Sequence, residues 1–251
     1  MKSDWFPVED MPGLEKVLGP MFRVLAKRFK TDRIQAFIYK NPEALVAERI
    51  SHSSRQITGE GVLPGKLMSR IRREHFNLVF LFRIHLRPAV YVLAKPTHNL
   101  FESEIEVSGI AAKAEAGPRF IFSMDSSLGL LIFEEFLSDT AGWSKLYESW
   151  PSVMRHKALF ADCFGTILGR LHRKTVLYGE IFETHLLMNL TMHACRLTDF
   201  GVSRHAIPKE LDEEFSKALR LLRGKAFSLA EEKAFIAAYS RRRKSPKGIA
   251  R

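Results

Sequence analysis

Only two cysteines occur in the 251 residues, Cys163 and Cys195, and neither stands at a metal-ligand spacing from another cysteine. That argues against a disulfide framework or a cysteine zinc site and fits two core thiols in a reducing cytoplasm. No apolar run approaches the roughly 18 residues that a membrane-spanning helix needs. The first residues, MKSDWFPVED, lack the apolar centre of a signal peptide. No internal repeat is visible. Acidic residues are missing altogether from 241–251, where six of eleven positions are basic, and residues 1–75 hold 14 basic against nine acidic. The formal net charge is +11. Such a balance suggests an anionic partner: a phosphorylated glycolipid, an anionic membrane face or nucleic acid. The chain is long enough for one two-lobed domain or two small ones.

What is present changes character along the chain. Leu14, Val17, Leu18, Met21, Phe22 and Leu25 recur at helical spacing. Gly19-Pro20 interrupts them, and Pro20 suits the first turn of a second helix. Residues 43–73 suggest two short helices around a loop with Gly59, Gly61 and Gly65. From Asn77 the pattern turns to strand: Asn77 to His85 and Ala89 to Lys95 form an expected hairpin through Leu86-Arg87-Pro88. Tyr91, Leu93 and Lys95 then share a face. Glu102 to Ala116 reads as a helix that Gly117-Pro118 stops. A second hairpin is expected from Arg119 to Phe133, turning at Asp125-Ser126-Ser127. Arg155 to Lys174 has a clear helical period in which Gly165 and Gly169 permit close packing. His172 reads as a structural histidine at its end. Glu210 to Arg223 is a further helix, and Ser228 with Glu231 is a capping box that starts the last one. The expected organisation is an N-terminal extension over 1–75, mostly helical and of unassigned role, a sheet-bearing part over 76–137, and a helical part with a basic tail over 138–251.

The most specific chemistry lies between Leu168 and Arg204. Tyr178-Gly179-Glu180 precedes His185-Leu186-Leu187 by a short loop, and Asp199-Phe200-Gly201 follows 19 residues after Glu180. An acid, a metal-ligand type five residues later, an apolar strand and then D-F-G is the layout of a catalytic loop and a magnesium loop for phosphoryl transfer. The first carboxylate must reach an acceptor hydroxyl. The other two groups must hold Mg²⁺ against the phosphates. Lys95 ends an apolar strand either as a snorkelling strand-end lysine or as one that grips phosphates, and in the second case Glu104 or Glu106 on the helix that follows would orient it. Either glutamate could instead simply favour the helix N-terminus.

Over residues 76–240 this pattern resembles the protein-kinase superfamily, and within it the lipopolysaccharide core kinases that phosphorylate heptose or Kdo sugars. Leu171-His172, Tyr178-Gly179-Glu180 and His185-Leu186-Leu187 fall in register with that family, and Phe227-Ser228-Leu229 with Phe235 to Tyr239 is similar to its C-terminal pattern. The resemblance implies an α+β fold of two lobes, an antiparallel-sheet N-lobe and a short helical C-lobe. It implies ATP and Mg²⁺ as cofactors, Glu180 as catalytic carboxylate, Lys95 with Glu104 or Glu106 at the nucleotide, and His185 and Asp199 at the metal. It also implies an anionic acceptor such as a phosphorylated glycolipid, and a cytoplasmic protein peripheral to the inner membrane. Two positions depart from the family: Glu180 replaces the loop aspartate, and Tyr178 replaces the histidine before it. The longer carboxylate leaves room for a kinase-fold ATP-binding protein with little transfer, a pseudokinase. The basic tail leaves room for a RIO-like kinase whose partner is associated with RNA.

Overall fold

The computed structural model describes residues 5–8, 14–39, 79–97, 104–126, 129–137, 141–145, 154–179, 181, 185–225 and 227–243. The glycine-bearing stretch 43–73 lies outside the described residues, as does Glu180. Among the described residues the fold is α+β, with an antiparallel sheet and five helices. The chain divides into two compact units, Met1–Thr97 with Ile121–Phe136, and His98–Phe120 with Leu137–Arg251. The expected boundary between residues 75 and 76 falls inside the first unit.

The described residues of the first unit form a six-stranded sheet with one helix. Its strands are β1 (Trp5–Pro7), β2 (Ile34–Tyr39), β3 (Phe80–Ile84), β4 (Val90–Pro96), β5 (Phe120–Ser126) and β6 (Gly129–Glu135), in the order β1-β2-β3-β4-β6-β5. The β3–β4 hairpin expected from its β-branched and aromatic residues forms, with Phe80 opposite Ala94 and Ile84 opposite Val90. β6 pairs antiparallel with β4, so that Lys95 stands opposite Ile132. Alternation along β4 buries Val92 and Ala94 and leaves Tyr91, Leu93 and Lys95 on the other face.

Helix α1 (Leu14–Phe29) runs through Pro20 without a break, where the sequence suggested two helices. Burial overrides the local penalty. Leu18, Met21 and Leu25 are fully buried against Phe80, Phe82, Val92, Leu131 and Phe133 of the sheet, and each such side chain contributes roughly 1.5–3 kcal/mol. That outweighs the roughly 3 kcal/mol that an interior proline costs.

The second unit is built on helix α3 (Lys157–Arg173). Around it lie α2 (Glu104–Lys113), the three-stranded sheet β10-β9-β7 and the pair β11-β8. These strands are β7 (Trp143–Lys145), β8 (Val176–Leu177), β9 (Leu186–Asn189), β10 (Ala194–Leu197) and β11 (Arg204–His205), and helices α4 (Pro208–Gly224) and α5 (Leu229–Arg243) follow. One half of the expected capping box forms: the Ser228 N–H donates to Glu231 at 2.6 Å. Phe160, Phe164, Ile167, Leu168 and Leu171 of α3 form the centre of this core with Phe235 and Tyr239 of α5.

Gly165 and Gly169 set the approach of α3 to α5. A Cβ on Gly165 would lie 2.3 Å from the Phe235 carbonyl oxygen, and one on Gly169 would lie 2.6 Å from that of Tyr239. Because the obstacle is backbone, α5 must shift to admit a methyl group. Gly165→Ala should therefore lower stability by about 1–3 kcal/mol through overpacking, against a helix-propensity gain of under about 1 kcal/mol. Gly109 on α2 has nothing within 4 Å of its Cβ position, so Gly109→Ala should raise stability by about 0.5–1 kcal/mol. Thermal denaturation of both variants checks the contrast; a Gly165→Ala protein as stable as wild type would remove the close contact.

Candidate functional site

The site residues of the second unit gather where α3 gives way to β8. The helix ends at Arg173, and His172 in its last turn is buried. Its Nδ1 is 2.7 Å from the Tyr239 hydroxyl of α5, and its Nε2 is 2.8 Å from Glu214 Oε2 of α4. Burial pushes the Tyr239 hydroxyl up to about 12. Both ring nitrogens are thus engaged, and His172 is the structural histidine that the sequence suggested.

Glu214 is the residue that sequence reasoning missed. Its side chain is 3% exposed, yet it accepts from three groups. Besides His172 these are the Tyr178 N–H, 3.0 Å from Oε2, and the Gly179 N–H, 2.6 Å from Oε1. A buried carboxylate is tolerated when its oxygens are satisfied in this way. The result fixes the backbone of the two residues that immediately precede Glu180. One signal could have found it: Leu211, Glu214, Ala218 and Leu222 form the buried stripe of α4, and a carboxylate on an apolar stripe calls for buried donors.

Tyr178 ties the same loop to the Asp199 loop. It is completely buried. Its hydroxyl donates a short hydrogen bond to the carbonyl of Thr198, and its own carbonyl accepts from Ser203 Oγ at 2.7 Å. Its ring packs edge-on against Phe200 and His185, with centroids 5.3 and 6.4 Å apart. A tyrosine here therefore bridges the two loops through its hydroxyl. Gly179 follows at φ +93, where a Cβ would also press on the Val202 carbonyl at 3.1 Å. Glycine adopts that conformation without strain.

His185 and Asp199 stand at the two open ends of the β9–β10 hairpin. The Thr198 N–H donates to the His185 carbonyl at 3.0 Å, which extends the ladder by one rung. The chain then leaves the hairpin at Asp199 with φ 63, a left-handed conformation uncommon for a residue with a side chain. Phe200 turns inward and is buried, with its ring 2.8 Å from where a Cβ on Gly117 would lie. Asp199 keeps a half-exposed carboxylate whose Oδ2 is 3.9 Å from His185 Nε2.

That separation is too long for a hydrogen bond. It suits two ligands of one small cation, since Mg²⁺ binds its ligands at about 2.0–2.1 Å. Among the described residues no three His, Cys, Asp or Glu side chains gather as a metal site. A magnesium ion that works with nucleotide needs no such cage: one or two protein ligands, waters and phosphates complete its shell. The imidazole nitrogen is a softer donor than Mg²⁺ prefers and is acceptable to Mn²⁺ as well.

Of the remaining candidates, Lys95 lies on β4 of the first unit, and Glu104 and Glu106 begin α2 of the second. The two glutamates differ. Glu104 is buried, whereas Glu106 is exposed and lies 3.6 Å from His205 Nε2 on β11. Arg204 beside it pairs with Glu210, whose carboxyl its guanidinium holds below the usual range. Glu210 also accepts from the Ile207 N–H at 3.1 Å and so closes the first turn of α4. Both cysteines are buried free thiols, Cys163 donating to the His193 carbonyl at 3.0 Å. No described helix is long and apolar enough to cross a membrane. A comparison with protein-family models finds no match, and neither does one with curated proteins.

Proposed function

We propose that the protein is an ATP- and magnesium-dependent phosphotransferase of the atypical small-kinase type, on a two-lobed protein-kinase-like fold, with a sugar hydroxyl of a lipopolysaccharide core as acceptor. The observation that carries this reading is the pairing of His185 with Asp199 at 3.9 Å, beside a loop whose Tyr178 and Gly179 N–H groups are anchored by Glu214. Two potential ligands and the approach to an acidic residue are thereby brought to one end of a hairpin. A metal ion bound there would draw charge from the transferring phosphoryl group. Asp199 and His185 would hold it. Glu180 would orient the acceptor hydroxyl and take its proton as the bond to phosphorus forms and the bond to the leaving ADP oxygen breaks. Lys95 would neutralise the α- and β-phosphates. Glu104 or Glu106 would orient this lysine.

A second reading is an ATP-binding pseudokinase. The glutamate at position 180 favours it, because about 1 Å of misplacement can cost about 10²-fold in rate.

Both readings require Mg-ATP to bind. Ligand at about 100 times its dissociation constant should stabilise the protein by about 2.7 kcal/mol. Thermal shift measurements with ATP, Mg²⁺ or Mn²⁺, and both together are the test. Lys95→Met and Asp199→Asn should each reduce the shift. No shift at millimolar nucleotide would remove support for either reading.

A further inference from the structure

The Gly165 and Gly169 contacts have an electrostatic by-product. Gly165 meets Phe235, and Gly169 meets Tyr239 four residues further on each helix. α3 and α5 therefore advance in the same sense through the contact, and their C-terminal ends come together. A Cβ on Gly169 would lie 3.0 Å from that of Arg242. The last turn of α3 carries Arg170 and Arg173, with Lys174 as its C-cap, and the last turn of α5 carries Arg241, Arg242 and Arg243.

Three of these cations have carboxylate partners. Arg170 bonds Glu115 at 3.0 Å, Arg241 bonds Asp162 at 2.7 Å and Arg243 bonds Asp212 at 2.5 Å. Arg173, Lys174 and Arg242 have no carboxylate within reach among the described residues, and all three are exposed. Favourable placement at helix C-termini accounts for about 0.3–1 kcal/mol apiece. It does not require that two such ends be set side by side. The sequence beyond Arg243 adds Lys244, Lys247 and Arg251 with no acid.

We infer that the paired C-terminal ends of α3 and α5 form a docking face for an anionic phospholipid surface, centred on Arg173, Lys174 and Arg242. This goes beyond the phosphotransferase reading and does not depend on it. The character of the face selects the partner. The exposed large apolar side chains among the described residues are Val24, Leu86, Met192, Ile207, Leu229 and Ile236. None is aromatic, so the face offers no platform on which bases could stack. It presents helix C-termini, not the N-terminal N–H groups that fix nucleic-acid phosphates in register. Adsorption to a negatively charged bilayer needs neither. It needs several Lys and Arg within a Debye length of the surface.

The test is co-sedimentation of the full chain with vesicles of phosphatidylcholine alone, or with about one-third phosphatidylglycerol, at low and at physiological salt. A structured RNA of comparable charge serves as competitor. Binding should require the anionic lipid and weaken with salt. Arg173→Gln, Lys174→Gln and Arg242→Gln together should lower it by about 10²-fold, since each juxtamembrane cation is worth about fivefold. A control variant, Lys209→Gln, Lys217→Gln and Lys233→Gln, removes the same charge from other exposed positions on α4 and α5. It should bind within a fewfold of wild type. Equal losses in the two variants would reduce the effect to net charge and overturn the assignment. So would RNA that displaces the protein from vesicles at equal charge concentration, which would make nucleic acid the preferred partner. All substitutions are at exposed positions, and an unchanged melting temperature confirms that each variant is folded.

Discussion

Glu180→Gln should lower phosphoryl transfer by about 10²–10⁴-fold while leaving Mg-ATP binding unchanged. The substitution keeps the size of the side chain and removes the base, and positioned acid–base assistance is worth that much. The expectation rests on the backbone around it. The N–H groups of Tyr178 and Gly179 are held by Glu214, and the Tyr178 hydroxyl reaches the carbonyl before Asp199. The two residues before position 180 are thus held in place. Glu180→Asp separates the two readings. In an enzyme adapted to the longer side chain, retraction by one methylene should slow the reaction. In a protein that has lost transfer, it should raise activity from a negligible level. ATP turnover would be measured for all three proteins, with and without sugar acceptors. Equal turnover by wild type and Glu180→Gln would show that another group is the base.

Glu214→Ala should be among the most destabilising single substitutions in the second unit, at about 3–5 kcal/mol. It strands three donors, two of them buried, and each unsatisfied buried group costs about 1–3 kcal/mol. Removal of one member of a buried pair falls in the same range. For a chain of this length that is a fall in Tm of roughly 10 °C. Glu213 is its exposed neighbour on α4, and Glu213→Ala should change Tm by no more than about 2 °C. Glu214→Asp retains the charge but cannot reach His172 and both N–H groups at once, so it should fall between them. Denaturation monitored by circular dichroism checks all three. Matching midpoints for Glu214→Ala and Glu213→Ala would mean that the carboxylate does not hold the loop.

Much of this arrangement was legible in the sequence because it is local. The β3–β4 hairpin, the adjacency of β5 and β6, the α3 period and the Ser228–Glu231 contact each depend on residues close in the chain. So does the juxtaposition of His185 and Asp199, which one hairpin brings together. What was not legible depends on distant partners. Pro20 looked like a helix start because the sheet that buries Leu18, Met21 and Leu25 is assembled from strands far along the chain. β1 and β2 were missed for the same reason: β2 pairs with β3 across the long stretch between Tyr39 and Phe80. Tyr178 looked like a departure until its hydroxyl was seen to reach Thr198, 20 residues later. Glu214 was missed because its donors, His172 and the Tyr178 and Gly179 N–H groups, lie 42, 36 and 35 residues away in the chain.

The division of the chain bears on its synthesis. The polypeptide passes from the first unit to the second at Thr97–His98, back at Phe120–Ile121 and over again at Phe136–Leu137. Neither unit is a continuous piece of sequence. During translation α2 emerges before α3, whose side chains share its core, so Val107 and Ala111 lack much of their native core until Phe160 and Phe164 follow. The first sheet cannot finish either until β6 arrives to separate β4 from β5. A ribosome pausing between residues 120 and 136 would hold both units incomplete at once. Cutting the gene at Thr97–His98 leaves the second unit whole but the first without 121–136, cutting at Phe136–Leu137 leaves the first whole but the second without 98–120, and cutting at Phe120–Ile121 leaves neither whole.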